Sequence, residues 1–207
     1  HLVALGTYGL DLGGALGGGA SLFLYCFRER EKILDIMESL TGPRFHTNIN
    51  QIGGVRYDVK TDLIKKIKDL VKYLRPILIE YNDMISKDEI FIQRTKNIGT
   101  ISPELVQGAG GSGPVARASG INFDIRRNRP YECYNEFDFD VPVGTNGDSY
   151  DRTIVRIKEN LESLKIIEQI INGIPSGDLS SRKPLKSAKL LKPPKGSFYS
   201  SIESPRG

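Results

Sequence analysis

Two side chains in this sequence stand where they could move protons. Asp11 follows an apolar stretch and precedes a run of glycines, and a carboxylate at the end of a packed helix suits a proton donor or relay. His46 follows the helix-ending pair Gly42-Pro43, and an imidazole can change protonation near neutral pH. Each residue also has a simpler interpretation, since Asp11 could cap the glycine-rich loop and His46 could be an ordinary loop residue. Their surroundings alone favour the simpler interpretations.

Arginines are concentrated between Gly111 and Gln169, where each guanidinium could bind a carboxylate or phosphate through paired hydrogen bonds. The arginines concerned are Arg117, Arg126, Arg127 and Arg129. Acidic residues are interleaved with them or follow closely, namely Asp124, Glu132, Glu136, Asp138 and Asp140. This mixture favours salt bridges, within the chain or at a subunit interface, over binding of an anionic substrate or nucleic acid. We therefore expect no catalytic role for these arginines.

Several classes of site are disfavoured by what the sequence lacks. Cys26 and Cys133 form no CxxC pair and have no histidine at ligand spacing, which excludes familiar zinc and iron–sulfur sites within the chain. We expect both thiols to be reduced, with Cys26 in the core. The glycine-rich stretch from Gly13 to Ser21 is not followed by GK[ST], so it does not predict a phosphate-binding loop. The longest apolar run is far shorter than the ~20 residues that span a bilayer. We therefore expect that the chain itself binds no metal or redox cofactor.

The composition is that of a globular chain with a core, since 39% of its 207 residues are hydrophobic. The formal net charge is +4, but six lysines and arginines between residues 179 and 202 account for the excess, with no acidic residue among them. The rest of the chain is therefore near neutral. We expect the basic segment to bind a partner or a lipid headgroup rather than nucleic acid.

Helical periodicity predicts the elements that hold Asp11 and His46. A packed helix ends near Leu12, and its glycines at positions 6 and 9 would let it approach a neighbouring helix closely. A second helix is predicted from Leu22 to Thr41, where Gly42-Pro43 ends it. Asp11 and His46 would therefore lie in the connections before and after this second helix.

The remaining patterns predict a mainly α fold with minor β structure, arranged as a helix bundle. Further helices are predicted at residues 63–85, 87–95, 103–107 and about 149–172. Asp148 is expected to cap the last helix, and short strands are expected around Ile52 and from Phe137 to Val143. Residues 1–174 would form the helical core, and residues 175–207 an irregular basic C-terminal segment.

A series of motifs covers nearly the whole chain in a characteristic order. HLVALGTYGLDLGG, FREREKILDIMESLTG, RFH and IGGV come first, followed by RASG, DIRR, DFDVPVG, GD, SLKIIEQ and PPKGSFYSSIESPRG. In this order they resemble the motifs of the quinone-site subunit of NADH:quinone oxidoreductase, the D subunit of respiratory complex I. The resemblance implies a central fragment of a longer protein. It also implies a helix bundle like the core of the nickel–iron hydrogenase large subunit.

The resemblance implies a subunit of the peripheral arm of a proton-pumping enzyme, which forms the quinone-reduction chamber beside the terminal iron–sulfur cluster of a partner. Quinone would be the substrate, the adjacent 4Fe-4S cluster would belong to the small subunit, and NAD(H) would bind elsewhere in the complex. Other peripheral-arm and membrane-arm subunits would be further partners. The location would be the cytoplasmic face of the plasma membrane or the matrix face of the inner mitochondrial membrane. The fragment alone would be inactive.

For two residues, the resemblance favours the functional interpretation over the simpler one. Asp11 stands where the family has an acidic residue that lines the quinone chamber and couples quinone reduction to proton movement. His46, in the RFH motif, stands where the family has a histidine near the terminal cluster of the small subunit. Both residues are therefore candidate site residues.

Two departures from the family pattern leave alternatives open. Residues 17–20 form a glycine-rich insert in place of a compact Thr-Pro turn, and Gln51 stands where complex I members usually carry arginine. The pattern around Gln51 looks closer to archaeal relatives. The alternatives are the large subunit of an energy-converting hydrogenase, a deazaflavin-linked dehydrogenase, and a scaffold paralogue that is not an enzyme.

Overall fold

The computed structural model describes residues 1–13, 19–180, 192 and 194–206. Its first two helices, α1 (Leu2–Asp11) and α2 (Gly19–Thr41), pack against each other in antiparallel directions. A Cβ atom on Gly9 would lie 2.9 Å from Leu22 Cδ2, and one on Gly6 would lie 3.0 Å from Cys26 Cβ. The close approach predicted for α1 is confirmed, and α2 is the neighbour.

The end of α2 and the short hairpin after it match the predicted positions. α2 ends at Thr41, and Gly42 follows with φ +88°, a left-handed conformation that glycine adopts without steric cost. Strands β1 (Asn50–Gln51) and β2 (Gly54–Val55) then pair antiparallel around Ile52. The β structure predicted near Ile52 is therefore confirmed, although each strand has only 2 residues.

Two long helices form the other side of the bundle. α3 (Thr61–Ser86) continues through Pro76, and α8 (Ser149–Gly173) packs beside it. Asp148 caps α8 as predicted, because its carboxylate accepts a hydrogen bond of 2.8 Å from the Asp151 amide.

Short helices connect α3 to α8. They are α4 (Glu89–Thr95), α5 (Pro103–Gly108), α6 (Gly113–Ala118), α7 (Ile125–Asn128) and a 3₁₀ turn at Tyr134–Glu136. α4 and α5 were predicted. α6, α7 and the 3₁₀ turn, of 6, 4 and 3 residues, were not predicted.

The strand predicted from Phe137 to Val143 is wrong, since these residues, all of them described, form no paired strand. Phe139 is buried, and side chains of α8 satisfy the backbone on either side of it. The Asp138 amide donates to Gln169 Oε1 at 2.9 Å, and the Asp140 amide donates to Glu162 Oε2 at 2.9 Å. Polar groups of a helix thus take the place of a neighbouring strand.

The core lies where α1, α2, α3, α4 and α8 meet. It contains Leu2, Leu5, Leu12, Leu22, Cys26, Val71, Leu74, Leu78, Tyr81, Ile85, Phe91, Ile157 and Leu164. Cys26 is buried in this core as predicted, Cys133 is exposed, and both are free thiols. The mainly α fold with minor β structure is confirmed.

The C-terminal segment is described only in part. Residues 194–206 run without helix or strand and return to the body through the side chains of Glu203 and Arg206. Most of the basic run lies outside the described residues, at positions 181–191 and 193. The predicted division of the chain at residue 174 stays a prediction.

Candidate functional site

Asp11 is the last residue of α1 and lies on the open side of that helix. The packed side of α1 consists of Leu2, Ala4, Leu5, Gly6 and Gly9. Asp11 and its neighbour Leu10 are exposed, so the carboxylate is not enclosed by the packing of its own helix. The alternative role of capping the glycine-rich loop involves residues 14–18, which lie outside the described residues.

Asp11 lines a cleft of about 460 Å³ between α1, α8 and the C-terminal segment. The cleft is lined by Ala4, Thr7, Tyr8, Leu10, Asp11, Arg156 and Arg206. Thr7 and Asp11 are four residues apart on a helix, so their side chains share one face of α1. The fold thus places two guanidinium groups in the same cleft as the predicted carboxylate.

Arg156 is fixed in this cleft by α8 and by an aromatic ring of α1. Its guanidinium carbon lies 4.1 Å from the centre of the Tyr8 ring, and its Nη1 donates a hydrogen bond of 2.7 Å to the Arg152 carbonyl. Burial lowers the pKa of Arg156 from its ordinary value, while Tyr8 and Glu159 act in the opposite direction. The ordinary value lies so far above neutrality that Arg156 remains a cation in the cleft.

Arg206 reaches the cleft from the other end of the chain. Its Nη2 donates a hydrogen bond of 2.7 Å to Thr7 Oγ1. The Thr7 hydroxyl donates in turn to the Val3 carbonyl at 2.9 Å. The hydroxyl therefore joins Arg206 to the backbone of α1, one helical turn before Asp11.

The geometry allows this cleft to bind the polar group of a ligand when that group gains negative charge. The guanidinium groups of Arg156 and Arg206 can stabilise an oxygen anion, because fixed cations aimed at developing charge need no rearrangement during the reaction. Asp11 can take up or release a proton beside them.

A buried ionic cluster behind the cleft ties the C-terminal segment to α6 and α8. Arg117, only 1% exposed, donates from Nε to Glu159 Oε1 at 2.7 Å and from Nη1 to Glu203 Oε1 at 3.1 Å. Its Nη1 also donates to the Phe123 carbonyl at 3.0 Å. The second oxygen of Glu203 accepts a hydrogen bond of 3.0 Å from the Ile125 amide. These bonds hold the segment that presents Arg206.

Arg126 and Asp124 form the outer part of the same cluster. Arg126 binds both carboxylate oxygens of Asp124, from Nε at 3.0 Å and from Nη2 at 2.7 Å. Burial alone would raise the pKa of Asp124, but the hydrogen bonds from Arg126 outweigh it and hold this pKa below its ordinary value. The salt bridges predicted for Arg117 and Arg126 are therefore present inside the chain.

His46 lies in an exposed loop that turns back along α2. Arg44 holds the loop through three carboxylates on one stripe of α2, with distances of 2.7 Å to Glu31, 2.6 Å to Asp35 and 2.8 Å to Glu38. The Phe45 ring lies beneath the guanidinium of Arg30, 5.0 Å away. The loop next to His46 is thus fixed on the middle of α2 rather than beyond its end.

The structure does not bring the two predicted site residues together. The segment of Asp11 contacts α2 at Leu22, whereas the loop of His46 contacts it at Arg30. These contacts are eight residues apart, or about 12 Å along the helix axis. His46 does not line the cleft of Asp11.

Sequence reasoning missed the two arginines of the cleft. Arg156 was hidden among the inward apolar positions of α8, and Arg206 belonged to a segment expected to be irregular. The available signal for Arg206 was its place in the SPRG motif, where the preceding proline restricts the backbone.

Metal ligands and membrane-spanning helices are both lacking in the described part of the chain. Its residues include no group of three or more His, Cys, Asp or Glu side chains placed to hold a metal ion. None of its helices is long and apolar enough to cross a membrane.

The solved structure of a membrane-bound sulfane sulfur reductase, an archaeal respiratory membrane complex, contains a chain with a similar fold. The TM-score is 0.79 and the sequence identity 31%, and the match covers 88% of this chain and 49% of that one. The likeness in fold agrees with the predicted helix bundle.

Similarity in sequence is higher to bacterial proteins. The chain is 42% identical over 207 residues to the D subunit of NADH-quinone oxidoreductase from Desulforamulus reducens and 43% identical to that from Desulfotalea psychrophila. It spans 54% of the length of each relative. Residues 17–206 match the family model of the 49 kDa subunit of respiratory-chain NADH dehydrogenase. The chain therefore belongs to the family of the 49 kDa subunit of respiratory-chain NADH dehydrogenase.

Proposed function

We propose that this chain forms part of the wall of a quinone-reduction chamber in a proton-pumping NADH:quinone oxidoreductase. The observation that carries the proposal is the cleft that Asp11 lines together with Arg156 and Arg206. The identity of 42% to 43% with the D subunits of two NADH-quinone oxidoreductases supports the same enzyme class.

The cleft suits the charge changes of a quinone. Each electron that reaches a quinone creates negative charge on oxygen, and a proton must balance it. Arg156 and Arg206 would stabilise the anionic oxygen, and Asp11 would supply the proton. Leu10 and the ring of Tyr8 would provide apolar contact for the quinone ring.

Electrons would come from outside the chain. We place the donor in a partner small subunit that carries a 4Fe-4S cluster, with His46 beside it, while NAD(H) binds elsewhere in the complex. The separation of His46 from the Asp11 cleft suits this division, since an exposed loop can face a partner while the cleft holds the substrate. Other subunits of the peripheral and membrane arms would complete the enzyme.

The proposed location is peripheral, on the cytoplasmic face of the plasma membrane or the matrix face of the inner mitochondrial membrane. The basic segment within residues 175–207 would bind a partner or lipid headgroups there. The chain alone is expected to be inactive, because electron input and part of the pocket would come from outside it. Turnover by the isolated chain would contradict this.

A second candidate is a related complex that reduces a different acceptor. The structural likeness to a chain of a sulfane sulfur reductase complex, at 31% identity, favours keeping it. In such a complex the arginines would bind a sulfur anion instead of a quinone oxygen.

The test replaces Asp11 with Asn in the assembled enzyme. We expect quinone reduction to fall about 10²-fold, the usual contribution of one acid–base group. Glu80→Gln is the matched control, because Glu80 is exposed on α3 and outside the cleft. Equal turnover in the two variants would remove Asp11 from the mechanism. Wild-type reduction of polysulfide but not of quinone would favour the second candidate.

A further inference from the structure

Glu159 on α8 is a buried carboxylate whose two oxygens have different surroundings. The residue is 3% exposed, and its Oε1 accepts the hydrogen bond from Arg117 at 2.7 Å. Its Oε2 is also buried but accepts no hydrogen bond from the described residues. The imidazole of His1 lies close to this second oxygen, with its Nδ1 3.7 Å away.

Asp124, in the same cluster, shows what a purely structural pairing looks like. Both of its oxygens accept hydrogen bonds from one guanidinium, that of Arg126. A buried carboxylate oxygen without a partner is costly if the group is ionised. Protonation of the unpaired oxygen of Glu159 removes this cost, because the neutral O–H group can point towards His1.

His1 connects this oxygen to a second cleft. Its side chain is 19% exposed and lines a cleft of about 310 Å³ that Glu159 itself does not line. Tyr131, Tyr134 and Glu203 also line this cleft. The imidazole therefore borders the cleft and also lies next to the buried carboxylate.

The charged groups around Glu159 come from several elements. Arg117 on α6 and Arg156 on α8 act on it most strongly, Arg126 on α7 acts more weakly, and His1 precedes α1. Burial raises the pKa of Glu159 above its ordinary value, although the three arginines lower it in part. Geometry and electrostatics therefore agree that Glu159 holds a proton more readily than an exposed glutamate.

We propose that Glu159 and His1 form a buried proton-binding site that exchanges protons with the second cleft. In the exchange, an N–H bond of His1 breaks and an O–H bond forms on Glu159 Oε2, or the reverse. No electron moves in this step. His1 passes the proton and Glu159 stores it.

The site is coupled to the Asp11 cleft through Arg156, and this part rests on the proposed function. Arg156 lies three residues before Glu159 on α8, so the two side chains are neighbours on one face of the helix. Protonation of Glu159 removes a negative charge that offsets Arg156. The Asp11 cleft then becomes more positive when a quinone oxygen gains negative charge.

The test is infrared difference spectroscopy of protonated carboxyl groups in the assembled enzyme across a pH titration. We expect a carboxyl signal that persists above the ordinary glutamate pKa of about 4.3. Glu159→Gln should abolish it, whereas the control Asp124→Asn, equally buried in the same cluster, should retain it. A signal that survives in Glu159→Gln, or is missing from the wild type, would overturn the proposal.

His1→Gln supplies a second measurement that leaves the bond between Arg117 and Glu159 in place. We expect the Glu159 carboxyl to exchange its proton for deuterium about 10²-fold more slowly, because an imidazole relay contributes at least that much to proton transfer. Unchanged exchange would remove His1 from the site.

The two proposals fail in different ways. If Asp11→Asn leaves turnover unchanged while the Glu159 signal is present, the proposed function fails and the proton site stands. If Asp11→Asn abolishes turnover while the wild type shows no such signal, the proton site fails and the proposed function stands.

Discussion

The replacement Gly9→Ala tests whether the contact between α1 and α2 sets the position of Asp11. An added Cβ would lie 2.9 Å from Leu22 Cδ2, 3.1 Å from its Cγ and 3.3 Å from its Cβ. Rotation of the Leu22 side chain cannot relieve the last of these contacts. Leu22 is only 1% exposed, so α1 itself must move away from α2.

The destabilisation caused by Gly9→Ala can be isolated by comparison with the same replacement at a glycine in open space. Overpacking a buried contact costs about 1–3 kcal/mol. Gly108→Ala is the matched control, because no atom lies within 4 Å of its added Cβ and Gly108 also lies in the last turn of a helix. The gain in helix propensity is similar in both variants, so their difference isolates the steric cost.

The assay is hydrogen exchange of the assembled enzyme, read by mass spectrometry for the amides of α1 and α2. A difference of about 1–3 kcal/mol corresponds to roughly 5- to 150-fold faster exchange in Gly9→Ala than in Gly108→Ala. Quinone reduction should fall in Gly9→Ala alone, since Asp11 lies two residues further along α1.

Equal exchange in the two variants would contradict a steric role for Gly9. It would mean that α1 and α2 tolerate an extra methyl group between them, and that glycine is not required for their approach. Faster exchange without any loss of turnover would keep the packing argument but separate it from the position of Asp11.

Three further outcomes are expected in the assembled enzyme. If His46 lies beside the 4Fe-4S cluster that we propose for a partner subunit, His46→Met should weaken the pH dependence of that cluster's midpoint potential, and redox titrations with the same slope in both proteins would count against it. Burial raises the pKa of Cys26 to about 12, so mass spectrometry after iodoacetamide treatment near neutral pH should find exposed Cys133 modified well before Cys26. Burial would raise the pKa of Asp124, but Arg126 holds this pKa below its ordinary value. The ionised Asp124 therefore stabilises the fold fully above its unfolded-state pKa, and this stabilisation is lost as the pH falls through its folded-state pKa. Asp124→Asn should therefore lower the Tm at neutral pH, and the difference from the wild type should shrink in acid.

The long helices could be predicted because each carries many turns of apolar periodicity and a clear signal at its end. Thr41 ends α2 before a Gly-Pro pair, and Asp148 caps α8. The alternation of apolar and acidic residues from 137 to 143 is typical of a strand. The strand prediction is wrong because a strand needs a partner strand, and here the side chains of Gln169 and Glu162 accept the backbone hydrogen bonds instead.

The candidate site was predictable only where one residue and its local motif suffice. Asp11 lies within a recognisable motif, so the carboxylate could be named from sequence. Arg156 and Arg206 join it because α8 packs near α1 and because Arg117 holds Glu203. Those contacts depend on tertiary packing, which periodicity does not report.

The hydrogen bond between Thr7 and Arg206 has a consequence for the order of events during synthesis. The two residues are 199 positions apart. At about 5–20 residues per second, roughly 10–40 s pass between their translation. The helices can pack in that interval, before the segment that carries Arg206 reaches the cleft. A nascent chain that stops before Glu203 would therefore keep its helical core and have a cleft that stays open on one side.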